Sequence, residues 1–117
     1  MSWLPAYDGS TLGQMGPAGA VITRDELLRD GPDAEERARL TLEEDPSRGL
    51  YALTGYLSGW LLHTCYLADA QAAGTTLEEM RAALEALLAE LPAQGPKDAE
   101  ARRVGGTMLA RFLARFA

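Results

Sequence analysis

The chain has one histidine and one cysteine, and they stand two positions apart, at His63 and Cys65. On a β-strand, positions i and i+2 share a face, so the imidazole and the thiol would be neighbours. An imidazolium beside a thiol stabilises the thiolate, which is the nucleophile of cysteine enzymes. Same-face neighbours on a strand are roughly 6.5–7 Å apart, however, too far for a direct S–H···N bond. We therefore assign no catalytic residue and keep this pair as the candidate dyad, with burial as the favoured interpretation.

The remaining residue types give little indication of a metal or cofactor site. A single His and a single Cys cannot form the common zinc sites or an intrachain disulfide. The adjacent acids at 35–36, 43–45 and 78–79 point apart and lack calcium-loop spacing. The glycine-rich stretch 13–19 is not followed by Gly-Lys-Ser/Thr, and Pro17 removes an N–H donor. We expect no metal and no cofactor.

Aromatic side chains concentrate in one segment, since four of the eight lie between positions 51 and 66. On strands, Tyr56, Trp60 and Tyr66 would share a face with Leu62, opposite the histidine and the cysteine. An aromatic strip on an uncovered sheet face is a natural binding surface, because Tyr and Trp are enriched in interface hot spots. We predict an interface built from these four residues. The alternative is that the rings pack beneath helices.

The stretch after the glycine-rich lead-in predicts strands. Residues 21–23 are the chain's only adjacent β-branched trio and start a strand. Two interpretations stay open beyond them: the strand continues toward Leu28 before a loop at 30–35, or a short capped helix covers 24–30. Residues 36–44 alternate between polar and apolar types, as a half-buried strand does.

The uncharged run from 49 to 68 decides the fold class. As strands, residues 51–54 and 60–67 would be joined across Gly55 and Gly59, which suits a hairpin. As a helix, the run would carry both glycines internally, each costing about 1 kcal/mol relative to alanine. We favour the strands.

Two helices are predicted in the C-terminal part. Thr75 and Thr76 can cap a first helix that Pro92 ends, and Pro96 suits the first turn of a second. Gly105-Gly106 weakens the second helix, so we expect close packing or a bend there. The short linker favours an antiparallel helix pair.

These elements predict one α+β domain over residues 1–117. Its parts are an irregular lead-in at 1–19 pinned by Trp3, Leu4 and Leu12, a β-rich half at 20–68 and a two-helix half at 75–116. The expected architecture is an antiparallel meander of about four strands, with both helices packed on one face. The alternative is all-α, with residues 50–70 as a buried helix.

Charge and composition limit the classes of partner and the compartment that we expect. The net charge of −6 should repel nucleic acid and anionic membrane surfaces. The run 49–68 lacks the Ile, Val and Phe typical of a membrane span, and the first residues do not resemble a secretory signal. A lone cysteine without an export signal favours the cytoplasm.

Two function classes remain. The first is a non-enzymatic binding domain that forms a homodimer and acts on a protein partner, for example as an inhibitor or immunity-type protein of a basic target. The second is a small ligand-binding protein or enzyme with a pocket between sheet and helices that uses His63 and Cys65. Because enzymes bring several reactive side chains together and this chain has few, the sequence favours the first.

Overall fold

One antiparallel sheet is followed by two helices in the computed structural model, which describes residues 2–31, 34–93 and 95–117. The strands are β1 (Trp3–Pro5), β2 (Val21–Arg29), β3 (Glu36–Asp45), β4 (Leu50–Leu57) and β5 (Leu61–Leu67). The helices are α1 (Ala70–Glu90) and α2 (Ala99–Arg115). The strands lie side by side in sequence order, so each pairs with the next along the chain.

The α+β prediction is therefore confirmed, with five strands rather than about four. The all-α alternative is wrong, because residues 50–57 and 61–67 are paired strands. The segment at 24–29 continues β2, which decides between the two interpretations left open for it. Pro32, Asp33 and Gln94, in the predicted loop and linker, lie outside the described residues, as does Met1.

The extra strand lies in the segment predicted to be irregular. In β1, Trp3 pairs with Leu28 of β2, and the indole Nε1 donates a 2.7 Å hydrogen bond to Glu85 of α1. Leu4 and Leu12, which were expected to pin this segment, are 61% and 51% exposed. The anchor at this edge is thus Trp3, whose side chain reaches α1 and packs against the core.

Both helices begin at an aspartate rather than at the predicted positions. The Asp69 carboxylate accepts a 2.7 Å hydrogen bond from the Ala72 N–H and caps α1 ahead of the two threonines. Asp98 caps α2 in the same way through the Ala101 N–H, two residues after Pro96. Asp is a stronger N-cap than Thr, and the alanines that follow it extend the helix readily.

The helices cover one face of the sheet and form the core there. Leu77, Met80 and Leu84 of α1 are fully buried against the apolar side chains of β3 and β4. Gly55 of β4 makes room for α1, because a Cβ at this position would lie 2.7 Å from the Met80 sulfur. A glycine in the middle of a strand is here the site of closest helix approach.

Trp60 fixes the position of α2. Its ring lies directly against Gly105, where any Cβ would overlap it, and its Nε1 donates a 2.9 Å hydrogen bond to the Pro92 carbonyl. The expectation of close packing at the glycine pair is confirmed for Gly105. Gly106 has open space around it instead.

The two glycines provide a matched test. Gly105→Ala should destabilise the fold by about 1–3 kcal/mol, because its methyl group would overpack against Trp60. Gly106→Ala should stabilise it by up to about 1 kcal/mol through helix propensity. Denaturant unfolding of both variants measures the free energies. Effects of the same sign would contradict this packing of α2.

Candidate functional site

The candidate residues of β4 and β5 lie on opposite faces of the sheet, as their alternation along the strands predicts. His63 and Cys65 lie on the face covered by the helices, and Tyr56, Leu62 and Tyr66 lie on the opposite face. We call the second face the open face, because neither α1 nor α2 covers it.

The candidate dyad is engaged in packing. His63 Nε2 lies 2.7 Å from the Phe116 carbonyl oxygen, and since a carbonyl only accepts, this nitrogen carries the proton and donates. Cys65 is 4% exposed, and burial raises the pKa of its thiol. A thiol with a raised pKa is a poorer nucleophile at neutral pH. The residues are brought to one face, but their surroundings favour the structural interpretation.

Three of the four predicted interface residues come together on the open face. Leu62 and Tyr66 are 72% and 62% exposed, and Tyr56, directly across from Leu62 in the β4–β5 register, is half-buried. We call these three residues the β5 strip. Trp60 does not belong to it, because the β4–β5 turn breaks the alternation and directs the ring under α2.

The other half of the open face is covered by a segment whose role the sequence did not indicate. Residues 6–20, here called the N-terminal arm, lie over β2 and β3. Glu43 is fully buried beneath the arm, and its carboxylate accepts hydrogen bonds from the N–H groups of Ala18 and Ala20, each at 3.1 Å. Gly16 contacts the same carboxylate so closely that a Cβ would overlap it.

A charged group of side chains lies beside Glu43. Arg39 donates two hydrogen bonds to the buried Asp25 carboxylate, at 2.8 and 2.5 Å, and Thr41 donates a third at 3.0 Å. Burial alone would raise the pKa of Asp25, but the hydrogen bonds from Arg39 and Thr41 outweigh it and lower that pKa. The Tyr7 ring of the arm covers the guanidinium, 5.6 Å from its centroid. This group is a structural support for the arm.

Two cavities open on this face. A larger one of about 630 Å³, here called the edge cavity, is lined by Leu4, Pro5, Tyr7, Asp8, Leu27 and Arg29, among others. A smaller one of about 260 Å³ lies between Pro17 of the arm and the strip residues Tyr56 and Leu62. Neither lies between the sheet and the helices, where the second function class placed its pocket.

Comparison with known proteins identifies no relative, since no protein family, curated protein or solved structure matches this chain. Among the residues that the structure describes, no group of three or more His, Cys, Asp or Glu side chains could hold a metal ion. Within the same residues, no helix has the length and apolar character needed to cross a membrane. The function must therefore be argued from the geometry of this chain.

Cys65 tests the structural interpretation of the dyad. Because the thiol is buried and its pKa is raised, Ellman's reagent should label it slowly in the folded protein and rapidly once denaturant is added. His63→Ala should leave labelling at pH 6 slow, or speed it by loosening the C-terminus. Rapid labelling of the wild type at pH 6 that this substitution abolishes would establish the dyad instead.

Asp25 tests the support beneath the arm. Asp25→Asn should cost about 3–5 kcal/mol at pH 7, because it leaves Arg39 without its carboxylate partner. The folded-state pKa is lowered, so the stabilisation is present above the unfolded-state value of about 4 and is lost as pH falls further. Denaturant unfolding from pH 7 to pH 2 should show the variant and the wild type converging.

Asp30→Asn is the matched control, because Asp30 forms an exposed ion pair with Arg37 and should contribute less than about 1 kcal/mol. If Asp25→Asn costs no more than the control, or if its deficit is independent of pH, the buried pair does not support the arm.

Proposed function

We propose that the chain is a non-enzymatic binding domain that self-associates through the β5 strip and acts on a protein partner. The observation that carries this proposal is the exposure of Leu62 and Tyr66, at 72% and 62%, on one sheet face with Thr64 between them. Large exposed side chains with apolar surface on one face are typical of interaction sites. Tyrosine is also among the side chains enriched in interface hot spots.

A second copy of the chain is the occupant that the charges favour. Residues 50–68 contain no Asp, Glu, Lys or Arg, so two copies of this surface meet without like-charge repulsion. β5 is also the last strand of the sheet and pairs only with β4 among the described strands. Its other backbone edge is available for pairing, and two-fold association of identical surfaces is the commonest form of oligomer.

The strand register gives this pairing a definite form. Thr64 is the central residue of β5, and an antiparallel pairing of two copies about it places Leu62 opposite Tyr66 of the second copy. The same operation places Tyr66 opposite Leu62 of the second copy. Cross-strand side-chain pairs stabilise a sheet, so each exposed residue would lose apolar surface to its partner in the second copy.

The reactive residues favour binding over catalysis. His63 donates a hydrogen bond to the Phe116 carbonyl and Cys65 is buried with a raised pKa, so neither is available to a substrate on the open face. For the protein partner, the net charge of −6 favours a basic protein, whose binding would weaken as salt concentration rises. Inhibitors of basic proteins, including immunity-type proteins, fit this description by charge alone.

Sedimentation equilibrium tests the self-association. At micromolar concentration the wild type should have twice the 12.6 kDa chain mass. Leu62→Glu and Tyr66→Glu should shift it toward monomer, because each removes the apolar contact of a cross-strand pair and puts a charged side chain in its place. Trp60→Glu is unsuitable as a probe, since this ring packs under α2 and its loss would disturb the fold.

Met15→Glu is the matched control. Met15 is as exposed as Leu62, at 72%, but it lies on the N-terminal arm and should leave the mass unchanged. A monomeric wild type would overturn the self-association, and so would an equal effect of Met15→Glu and Leu62→Glu.

A further inference from the structure

The edge cavity lies at the opposite end of the open face from the β5 strip and has the size of a small-molecule site. Its volume of about 630 Å³ falls within the range of ligand pockets in proteins. Leu4 and Leu27 are directly paired across β1 and β2, and with Pro5 and the Tyr7 ring they form an apolar lining. The cavity therefore offers a surface for the apolar part of a ligand.

Arg29 supplies the polar group of the cavity. Arg29 lines the cavity, and no described carboxylate lies within ion-pair distance of it. Its buried Nε and the buried Oε2 of Glu36, opposite it in the β2–β3 register, both lack a hydrogen-bond partner among the described residues. The guanidinium therefore has no described counter-ion at the cavity wall, and a carboxylate is the anion whose geometry matches it.

The backbone at the rim is held in an unusual conformation. Tyr7 and Asp8 have φ angles of 48° and 57°, the only positive values among the described residues other than glycines. Non-glycine residues in this region are strained, and such residues concentrate at ligand and active sites. Here the strained turn places both Tyr7 and Asp8 in the lining of the cavity.

The acidic groups at the rim limit which ligands fit. Asp30 is neutralised by Arg37, 3.3 Å away, whereas Asp8 makes no ion pair with a described residue. Asp8 therefore opposes an anion in the cavity, whereas Arg29 attracts one. A ligand with a single carboxylate and an apolar body is favoured over a polyanion.

We propose that the edge cavity binds an amphipathic monocarboxylate, with the carboxylate on Arg29 and an apolar body of about eight carbons against Leu4, Leu27 and Tyr7. The site shares no residue with the β5 strip, so a test of ligand binding here is independent of the proposed self-association. It differs from the pocket between sheet and helices, because it needs neither His63 nor Cys65.

Calorimetric titration of the full chain with octanoate tests this site. We expect saturable binding of one octanoate per chain and at least about tenfold weaker binding of 1-octanol, which lacks the charge. Arg29→Gln should weaken octanoate binding about tenfold, to the level of 1-octanol. Asp8→Asn should strengthen it a few-fold by removing the like charge. Arg48→Gln is the control, because this arginine is exposed in the β3–β4 turn, and it should change nothing.

The location of binding is checked by NMR. Octanoate should shift the methyl signals of Leu4 and Leu27, and Leu62→Glu should leave its affinity unchanged. The proposal is overturned if millimolar octanoate does not saturate the protein, or if it shifts Leu62 instead of Leu4 and Leu27. It is also overturned if Arg29→Gln lowers the melting temperature without changing the affinity for octanoate, since Arg29 would then stabilise the fold through Glu36 rather than bind a ligand.

Discussion

The carboxylate of Glu43 is buried on a sheet face that neither α1 nor α2 covers, and the arrangement of that face depends on it. A buried charge requires hydrogen-bond donors, and here they are the Ala18 and Ala20 N–H groups of the N-terminal arm. The arm in turn needs this acceptor, because the Ala18 and Ala20 N–H groups bond to Glu43, whereas amides such as those of Gly13 and Gly16 have backbone partners. Glu43 and the arm therefore require each other. Gly16 is the residue that lets the backbone approach closely enough.

This mutual requirement divides the open face into two halves with different chemistry. Beneath the arm the sheet presents Asp25, Arg39 and Glu43, whose charges are satisfied by hydrogen bonds. Over β4 and β5 it presents Leu62 and Tyr66, which the described part of the chain leaves exposed. The β5 strip and the edge cavity thus both offer apolar surface on the open face. The polar half between them keeps these two surfaces separate.

Local patterns were sufficient to predict most of the fold. Alternation along the uncharged run placed His63 and Cys65 opposite Leu62 and Tyr66, because parity on a strand is fixed by backbone geometry alone. The predicted face was wrong for Trp60, because a turn interrupts the alternation and the ring packs against α2. β1 was missed because it is three residues long and pairs with a strand more than twenty positions away. The burial of Glu43 was missed for a related reason: polar alternation indicates a solvent-facing side, and only tertiary structure brings an arm over it.

The two edges of the sheet differ in a way that bears on the β5 strip. An edge strand presents unpaired backbone groups, and soluble proteins limit unwanted pairing with short strands, charges or proline. β1 follows this rule, since it has three residues and ends at Pro5. β5 has seven residues, with no proline, no lysine or arginine and no carboxylate. A long, uncharged edge next to two exposed apolar side chains is suited to pairing with another strand. A partner on β5 would explain why the two edges of the sheet differ. Pairing two copies through β5 would cover both the backbone edge and the strip with a single contact.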